Sequence, residues 1–134
     1  MLYGDEHVRR YEETNGAEGH EWQGTTTLIL TTTGRKSGKQ RRHPLIYRKR
    51  GNDYLVVASK GGADEPPAWY VNLLANPDVQ VQVKGDKFAA RARTAKPGEK
   101  PEMWEQMAET WPAYNEYQQK TKREIPVVVL EPVS

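Results

Sequence analysis

The chain has 134 residues, a formal net charge of +2 and no cysteine. This length is typical of one domain around a single hydrophobic core, and the short apolar runs indicate a globular chain. The lack of cysteine excludes disulfides and thiolate metal sites, and the three scattered histidines have no metal-binding spacing. No apolar stretch approaches the roughly 20 residues that cross a bilayer, and the N-terminus has no apolar signal-peptide core. We therefore expect a cytoplasmic protein without a metal centre.

The N-terminal stretch differs in composition from the rest of the chain. Residues 1–23 are polar and contain several glycines, which predicts a mobile arm with a short helix near residues 7–13. The pattern then changes to β-branched residues, so the globular domain is predicted at residues 24–134. A polar arm with a weak apolar face does not predict stable membrane insertion, although peripheral contact with the inner face of the membrane stays open.

The remaining pattern predicts mainly strands. β-branched residues at 25–33, alternating valines at 79–83 and the hairpin turn at Gly51 and Asn52 are the clearest signals. In chain order we predict strands at 25–33, 41–49 and 54–59, a short helix at 66–74, strands at 79–83 and 88–94, helices at 101–111 and 113–121, and a strand at 126–130. Six strands with tight hairpins and short helices favour a small antiparallel barrel, a mainly β (α+β) fold. A doubly wound parallel sheet would need long helices that are missing here.

A cationic loop follows the first predicted strand. Between residues 22 and 52 there is no acidic residue but there are eight of the 20 basic ones, which leaves twelve basic against 18 acidic residues elsewhere. This asymmetry favours a bound polyanion. The glycines at 34 and 38 resemble a phosphate loop only loosely, because the Walker pattern opens a helix and a strand follows here. A solvated hairpin loop explains the charge about equally well.

Three further segments carry candidate chemistry, and each also has a structural explanation. Residues 59–62, Ser-Lys-Gly-Gly, form a flexible strand exit. Trp69 and Tyr70 at a helix start either anchor the core or stack on a planar ligand. Tyr114 and Tyr117 share one helical face, which either packs on the barrel or lines a pocket and donates a hydrogen bond. No catalytic triad is present, as expected if a cofactor supplies the chemistry.

Together these segments carry a resemblance. LILTTTGRKSGKQRRHPLIY, VVASKGGADEPPAWYVNLLANPDVQVQV and WPAYNEYQQKTKREIPVVVLEP resemble, in this order, the deazaflavin-dependent nitroreductase family of actinobacteria, a group of coenzyme F-420-dependent quinone reductases and nitroreductases. The resemblance spans residues 24–133 and implies a split β-barrel like that of flavin-binding reductases. It also implies a cofactor with a flavin-like ring, a phosphodiester and an oligoglutamate tail. We therefore expect an oxidoreductase that transfers a hydride from reduced coenzyme F-420 to a quinone, nitro or similar electron-poor acceptor.

The resemblance also implies the site residues. The phosphate or tail would be contacted by Arg35, Lys36, Ser37 and Arg41. The edge of the ring and its linker would be lined by Arg42, His43, Pro44, Leu45 and Ile46. The next strand wall would consist of Val57, Ala58, Ser59 and Lys60, and the helix start would add Ala68, Trp69, Tyr70, Val71 and Asn72. Tyr114 would reach the substrate side of the cofactor, with Tyr117 nearby, and these two are the candidate catalytic residues.

Three positions depart from the family pattern. Some nitroimidazole-activating members carry tyrosines where this chain has Ile46 and Trp111, and a methionine where it has Ala68. We expect cofactor binding to survive these changes, whereas activity on bicyclic nitroimidazoles is placed in doubt.

The sequence leaves other interpretations open. A non-catalytic deazaflavin carrier and an FMN- or haem-binding barrel both fit the same fold. A nucleic-acid-binding barrel fits the basic strip, but aromatic residues are not interleaved with the cations as a stacking platform requires, so we expect no nucleic-acid partner. The expected partner is a small-molecule acceptor, and the expected assembly is a monomer or a homodimer.

Overall fold

The computed structural model describes residues 2–133 and contains eight strands and four α-helices in this part of the chain. The strands are β1 (Glu21–Trp22), β2 (Thr25–Thr33), β3 (Gln40–Ile46), β4 (Arg48–Arg50), β5 (Asp53–Val57), β6 (Asp78–Val83), β7 (Asp86–Thr94) and β8 (Val127–Pro132). The helices are α1 (Gly4–Thr14), α2 (Ala68–Ala75), α3 (Lys100–Thr110) and α4 (Ala113–Lys120), and a short 3-10 turn lies at Lys60–Gly62.

The strands form one curled antiparallel sheet in the order β1-β2-β6-β7-β8-β5-β4, with β3 paired to β2. This arrangement confirms the mainly β split barrel with short flanking helices. The number of strands is eight rather than about six, because β1 is additional and the strand predicted at 41–49 is divided at Tyr47. There the backbone N–H still donates to the Thr26 carbonyl, whereas β4 pairs with β5. The chain thus changes partner at Tyr47, and this corner closes the sheet on itself.

Strand β8 is buried on both faces, which explains its unbroken apolar sequence. Val128 and Leu130 point into the barrel core together with Leu28, Leu30 and Val56. On the opposite face, Val127 and Val129 belong to a second core cluster, whose other members include Leu55, Met103, Met107, Tyr114 and Ile125. Because alternate residues of a strand face opposite sides, β8 connects the barrel to the layer formed by α3 and α4.

Helix α1 packs against the barrel through its buried side chains His7, Val8 and Tyr11. The Tyr11 hydroxyl donates to the Thr27 carbonyl at 2.9 Å and accepts from the Lys84 backbone N–H at 2.8 Å. The mobility of residues 1–23 and the domain boundary at residue 23 stay predictions. The packing nevertheless differs from that of a free polar arm, because a few buried side chains suffice to anchor a helix whose other faces are charged.

Within residues 2–133, no helix is both long enough and apolar enough to cross a membrane.

The substitution Tyr11→Phe is expected to lower the free energy of unfolding by about 1–2 kcal/mol, because it removes a buried hydroxyl with three backbone partners, at Thr27, Gln82 and Lys84. Urea denaturation followed by circular dichroism measures the change. Tyr3→Phe is the matched control, because that side chain is 62% exposed and its hydroxyl accepts a solvent-exposed hydrogen bond from Gln23 at 3.2 Å, so its loss should cost less. Equal stability of Tyr11→Phe and the unmodified protein would contradict the anchoring contact.

Candidate functional site

A cleft of about 580 Å³ lies beside the barrel and is lined mainly by apolar and aromatic side chains. Its size is within the range of small-molecule sites. Its walls come from α1, β1, β3, the end of β5, the 3-10 turn, the start of α2, and the segment from Trp111 to α4. Barrel closure brings these segments together although they are distant in sequence.

Many of the predicted site residues line this cleft. They are His43, Pro44, Leu45 and Ile46 from β3, Val57, Ser59 and Lys60 from β5 and the following turn, Ala68 and Trp69 from α2, and Tyr114 and Tyr117 from α4. The structure thus places the proposed ring-binding wall and both candidate catalytic tyrosines around one space. Their functional roles stay predictions.

Other predicted site residues lie outside the cleft lining. They are Arg35, Lys36, Ser37, Arg41, Arg42, Ala58, Tyr70, Val71 and Asn72. Ala58 is buried in the barrel core, and the Tyr70 hydroxyl is hydrogen-bonded to the Thr94 hydroxyl at 2.8 Å. Arg42 is paired with Glu12 of α1, with Nη1 2.9 Å from Oε1. For the ring-edge role predicted for Arg42, this ion pair is a competing interaction.

The cationic loop docks on α2. The backbone N–H and Nη1 of Arg35 both donate to Oδ1 of the buried Asn72, at 3.2 and 3.1 Å. The first turn of the same helix lines the cleft, so α2 links the loop to the cavity. Lys36, Lys39 and Arg41 are exposed and form no ion pair within residues 2–133. Their charge is therefore available to an anion.

Tyr114 is a buried phenol on the cleft wall, only 5% exposed. Burial, with a smaller contribution from Tyr117, raises the pKa of Tyr114 well above its usual range. The hydroxyl is neutral at physiological pH, as an ordinary phenol also is, and it has no hydrogen-bond partner among the described residues. The Tyr117 ring lies 6.1 Å from that of Tyr114, and its hydroxyl accepts from Trp111 Nε1 at 3.4 Å. The cleft wall thus includes a neutral phenol that can donate a hydrogen bond.

The sequence did not predict the wall that the N-terminal segment contributes. Trp22 contacts Tyr3 edge to face at 5.7 Å, stacks on His7 at 6.3 Å, and lies 5.8 Å from Trp111. Its Nε1 donates to the Leu2 carbonyl at 2.8 Å. The only sequence signal was the helical spacing of the residues that α1 buries. The cleft residues missed by sequence reasoning also include Leu2, Gly4, Thr27, Gly61 and Pro67.

His43 borders the cleft with a buried, unpartnered ring nitrogen. Its Nδ1 has no hydrogen-bond partner within residues 2–133. Burial lowers the pKa of His43; Asp5 opposes this effect and Arg41 adds to it. A neutral imidazole of this kind keeps one nitrogen available for a further hydrogen bond.

The 3-10 turn is pressed against α4. Lys60, Gly61 and Gly62 all have positive φ, at 46°, 63° and 86°. A Cβ on Gly62 would lie 2.7 Å from the Tyr117 carbonyl oxygen, whereas one on Gly61 would meet nothing within 4 Å. The turn and the tyrosine helix therefore fix each other's position.

This contact predicts different effects for two neighbouring glycines. Gly62→Ala should lower the free energy of unfolding by about 1–3 kcal/mol more than Gly61→Ala, because both face positive-φ strain but only Gly62 collides with backbone. Urea denaturation of the two variants measures the difference. Equal destabilisation would mean that the turn moves freely relative to α4.

Comparison with known proteins identifies the family. Residues 4–132 match the family model described as F420H(2)-dependent quinone reductase. An F420H(2)-dependent quinone reductase of Mycobacterium tuberculosis is 41% identical over 128 residues, which cover 92% of this chain and 86% of that relative. The solved structure of the F420-H2 dependent reductase FDR-A is 42% identical with a TM-score of 0.73, over 78% of this chain and 93% of that one. A solved domain-swapped dimer is 38% identical with a TM-score of 0.75, over 92% of this chain and 96% of that one. The chain therefore belongs to the F420H(2)-dependent quinone reductase family.

Proposed function

We propose that this chain is an oxidoreductase that binds reduced coenzyme F-420 in the cleft and transfers a hydride to a quinone. The family match over residues 4–132 is the observation that carries this proposal. The cleft supports it, because α2 links an apolar cavity to a cationic loop whose lysines have no carboxylate partner within residues 2–133. Membership of the family favours this activity over the nucleic-acid, FMN and haem alternatives.

The residues present fit such a cofactor. A planar ring needs an apolar slot, and Pro44, Leu45 and Val57 supply apolar walls. The unused Nδ1 of His43 provides a polar group for the ring edge or linker. A phosphodiester with a glutamate tail needs uncompensated positive charge, which Lys36 and Arg41 offer.

We assign the roles of the cleft residues accordingly. Lys36 and Arg41 bind the phosphate and tail, and Arg35 fixes the loop on α2 while extending the same cationic surface. His43 to Ile46, with Ser59 and Lys60, hold the ring edge. Arg42 contributes mainly through its ion pair with Glu12, which ties α1 to β3.

When bound, the reduced deazaflavin supplies a hydride from C5 of its ring. Reduction of a quinone to a quinol would take up this hydride and one proton, and solvent water would supply the proton. Tyr114, whose burial raises its pKa further above physiological pH, would donate a hydrogen bond from its neutral hydroxyl to the acceptor oxygen. Trp22 and Trp111, whose rings are inclined by 36° to each other, would form an apolar wall that holds the acceptor and excludes water.

The same surface favours quinones over bicyclic nitroimidazoles. Ile46 and Trp111 line the cleft where nitroimidazole-activating members carry tyrosines, so two hydroxyl donors are replaced by less polar side chains. A planar aromatic quinone needs few such donors.

The 38% identical domain-swapped dimer supports a homodimer over a monomer for the assembly. Contact with the membrane surface stays a prediction.

Fluorescence titration with coenzyme F-420 and, in parallel, with FMN tests the cofactor. We expect saturable deazaflavin binding and weak FMN binding. Lys36→Ala should weaken deazaflavin binding by roughly tenfold at low salt, because it removes a charge-assisted contact, and the difference should shrink at high salt.

Lys87→Ala, which removes an exposed lysine of β7, is the matched control and should bind normally. Preference for FMN would refute the proposed cofactor. If Lys36→Ala bound the deazaflavin as tightly as Lys87→Ala does, the cationic loop would not be part of the cofactor site.

Tyr114→Phe is expected to lower kcat for quinone reduction by roughly tenfold while leaving the Kd for the deazaflavin nearly unchanged, since only the acceptor loses a hydrogen bond. Single-turnover oxidation of the bound reduced cofactor measures the rate. Tyr54→Phe, which alters a tyrosine packed on Tyr47 and Phe88 outside the cleft, is the control. If Tyr114→Phe lowered cofactor affinity as much as turnover, the assignment of Tyr114 to the acceptor side of the cleft would be refuted. A wild-type protein that binds the cofactor without any hydride transfer would instead be a carrier.

A further inference from the structure

Arg123, between α4 and β8, donates to three backbone carbonyls of one loop. Its Nε lies 2.7 Å from the Ala63 oxygen, and its Nη2 lies 2.8 Å from the Ser59 oxygen. Nη1 and Nη2 also lie 3.3 and 3.4 Å from the Ala58 oxygen. The guanidinium group thus spans the loop from residue 58 to residue 63. Among the described residues it forms no ion pair, so its positive charge interacts with these three carbonyl oxygens.

This loop has few hydrogen bonds of its own. Within it, the Gly62 N–H donates to Ser59 and the Ala63 N–H donates to Lys60. Three consecutive residues, Lys60 to Gly62, have positive φ, and lysine adopts that conformation only when its surroundings hold it there. The bonds from Arg123 supply such a constraint.

The segment that carries Arg123 is itself held firmly. The Gln118 side chain donates to the Arg123 carbonyl at 2.8 Å and accepts from the Ile125 N–H at 2.9 Å. The Thr121 hydroxyl donates to Asp64 at 2.9 Å, just beyond the loop. Arg123 therefore joins the end of α4 to the loop at several points. It does not line the cleft, although Ser59 and Lys60 do.

We propose that Arg123 is a positioning residue that fixes the Ser59–Lys60–Gly61 turn against α4. It sets the separation between the wall formed by Ser59 and Lys60 and the wall formed by the α4 tyrosines. The proposal rests on the proposed function for its consequence, which is correct placement of Ser59 and Lys60 on the cofactor. The geometry also requires a guanidinium, because one ammonium group cannot reach three carbonyls spread over six residues.

Amide hydrogen exchange of the free protein tests the positioning without any ligand. In Arg123→Met, which keeps the aliphatic stem, the amides of Gly62 and Ala63 should exchange at least about tenfold faster, while amides of β2 stay unchanged. In Arg91→Met, which removes an exposed arginine of β7, both sets should exchange as in the wild type. Unchanged exchange at Gly62 and Ala63 would overturn the proposal.

Cofactor titration and guanidinium rescue test the consequence. Arg123→Met should bind the deazaflavin about tenfold more weakly, and added guanidinium ion at millimolar concentration should recover part of this loss. Arg123→Lys should fold but recover little affinity, so it serves as the test if the Met variant does not fold. Binding by Arg123→Lys equal to wild type, or no rescue by guanidinium, would overturn the role. If the wild type itself fails to bind the deazaflavin, the proposed function fails, whereas the exchange result still decides the positioning.

Discussion

The burial of β8 on both faces is the constraint on which the cleft depends. Its even-numbered valine and leucine complete the barrel core, and its odd-numbered valines support α3 and α4. Any change in the register of this strand would invert both sets, so its position is strongly determined. The tyrosine helix and Arg123 immediately precede it in the chain. The position of the cleft wall formed by α4 therefore depends on how β8 packs in the core, and not on local contacts alone.

The basic residues of the segment from residue 35 to residue 50 fall into two groups, those that are paired with carboxylates and those that are not. The two arginines of β4 are paired with α3, where Arg48 lies 3.8 Å from Glu109 and Arg50 lies 2.9 Å from Glu102. Arg42 is similarly held by Glu12 of α1. In the loop between β2 and β3, by contrast, Lys36, Lys39 and Arg41 have no carboxylate partner in the described part of the chain. The net basicity noted in the sequence is thus concentrated where it is uncompensated, which is the condition for attracting a polyanion.

Much of the fold could be predicted because its signals are local. Composition and spacing alone predict the β-branched strand β2, the Gly51-Asn52 turn and the short helix α2. The motif resemblance correctly predicted more than half of the residues that line the cleft. The sequence did not predict the cleft wall around Trp22, because α1 buries only three side chains and the rest of this segment is charged. Arg123 escaped because its partners are backbone carbonyls, which leave no pattern of complementary residues. The break at Tyr47 depends on a change of strand partner, which no local signal records.

The contact between Trp22 and Trp111 has an optical consequence. Two indoles with centroids 5.8 Å apart and planes inclined by 36° are close enough for their electronic transitions to couple. Such a pair produces a two-signed band in the far-ultraviolet circular dichroism spectrum, where the strongest indole transition absorbs, distinct from the signal of isolated tryptophans. Because the two rings come from segments almost ninety positions apart in sequence, this band reports directly on docking of the N-terminal segment. The protein therefore carries an intrinsic, label-free spectroscopic marker of cleft assembly.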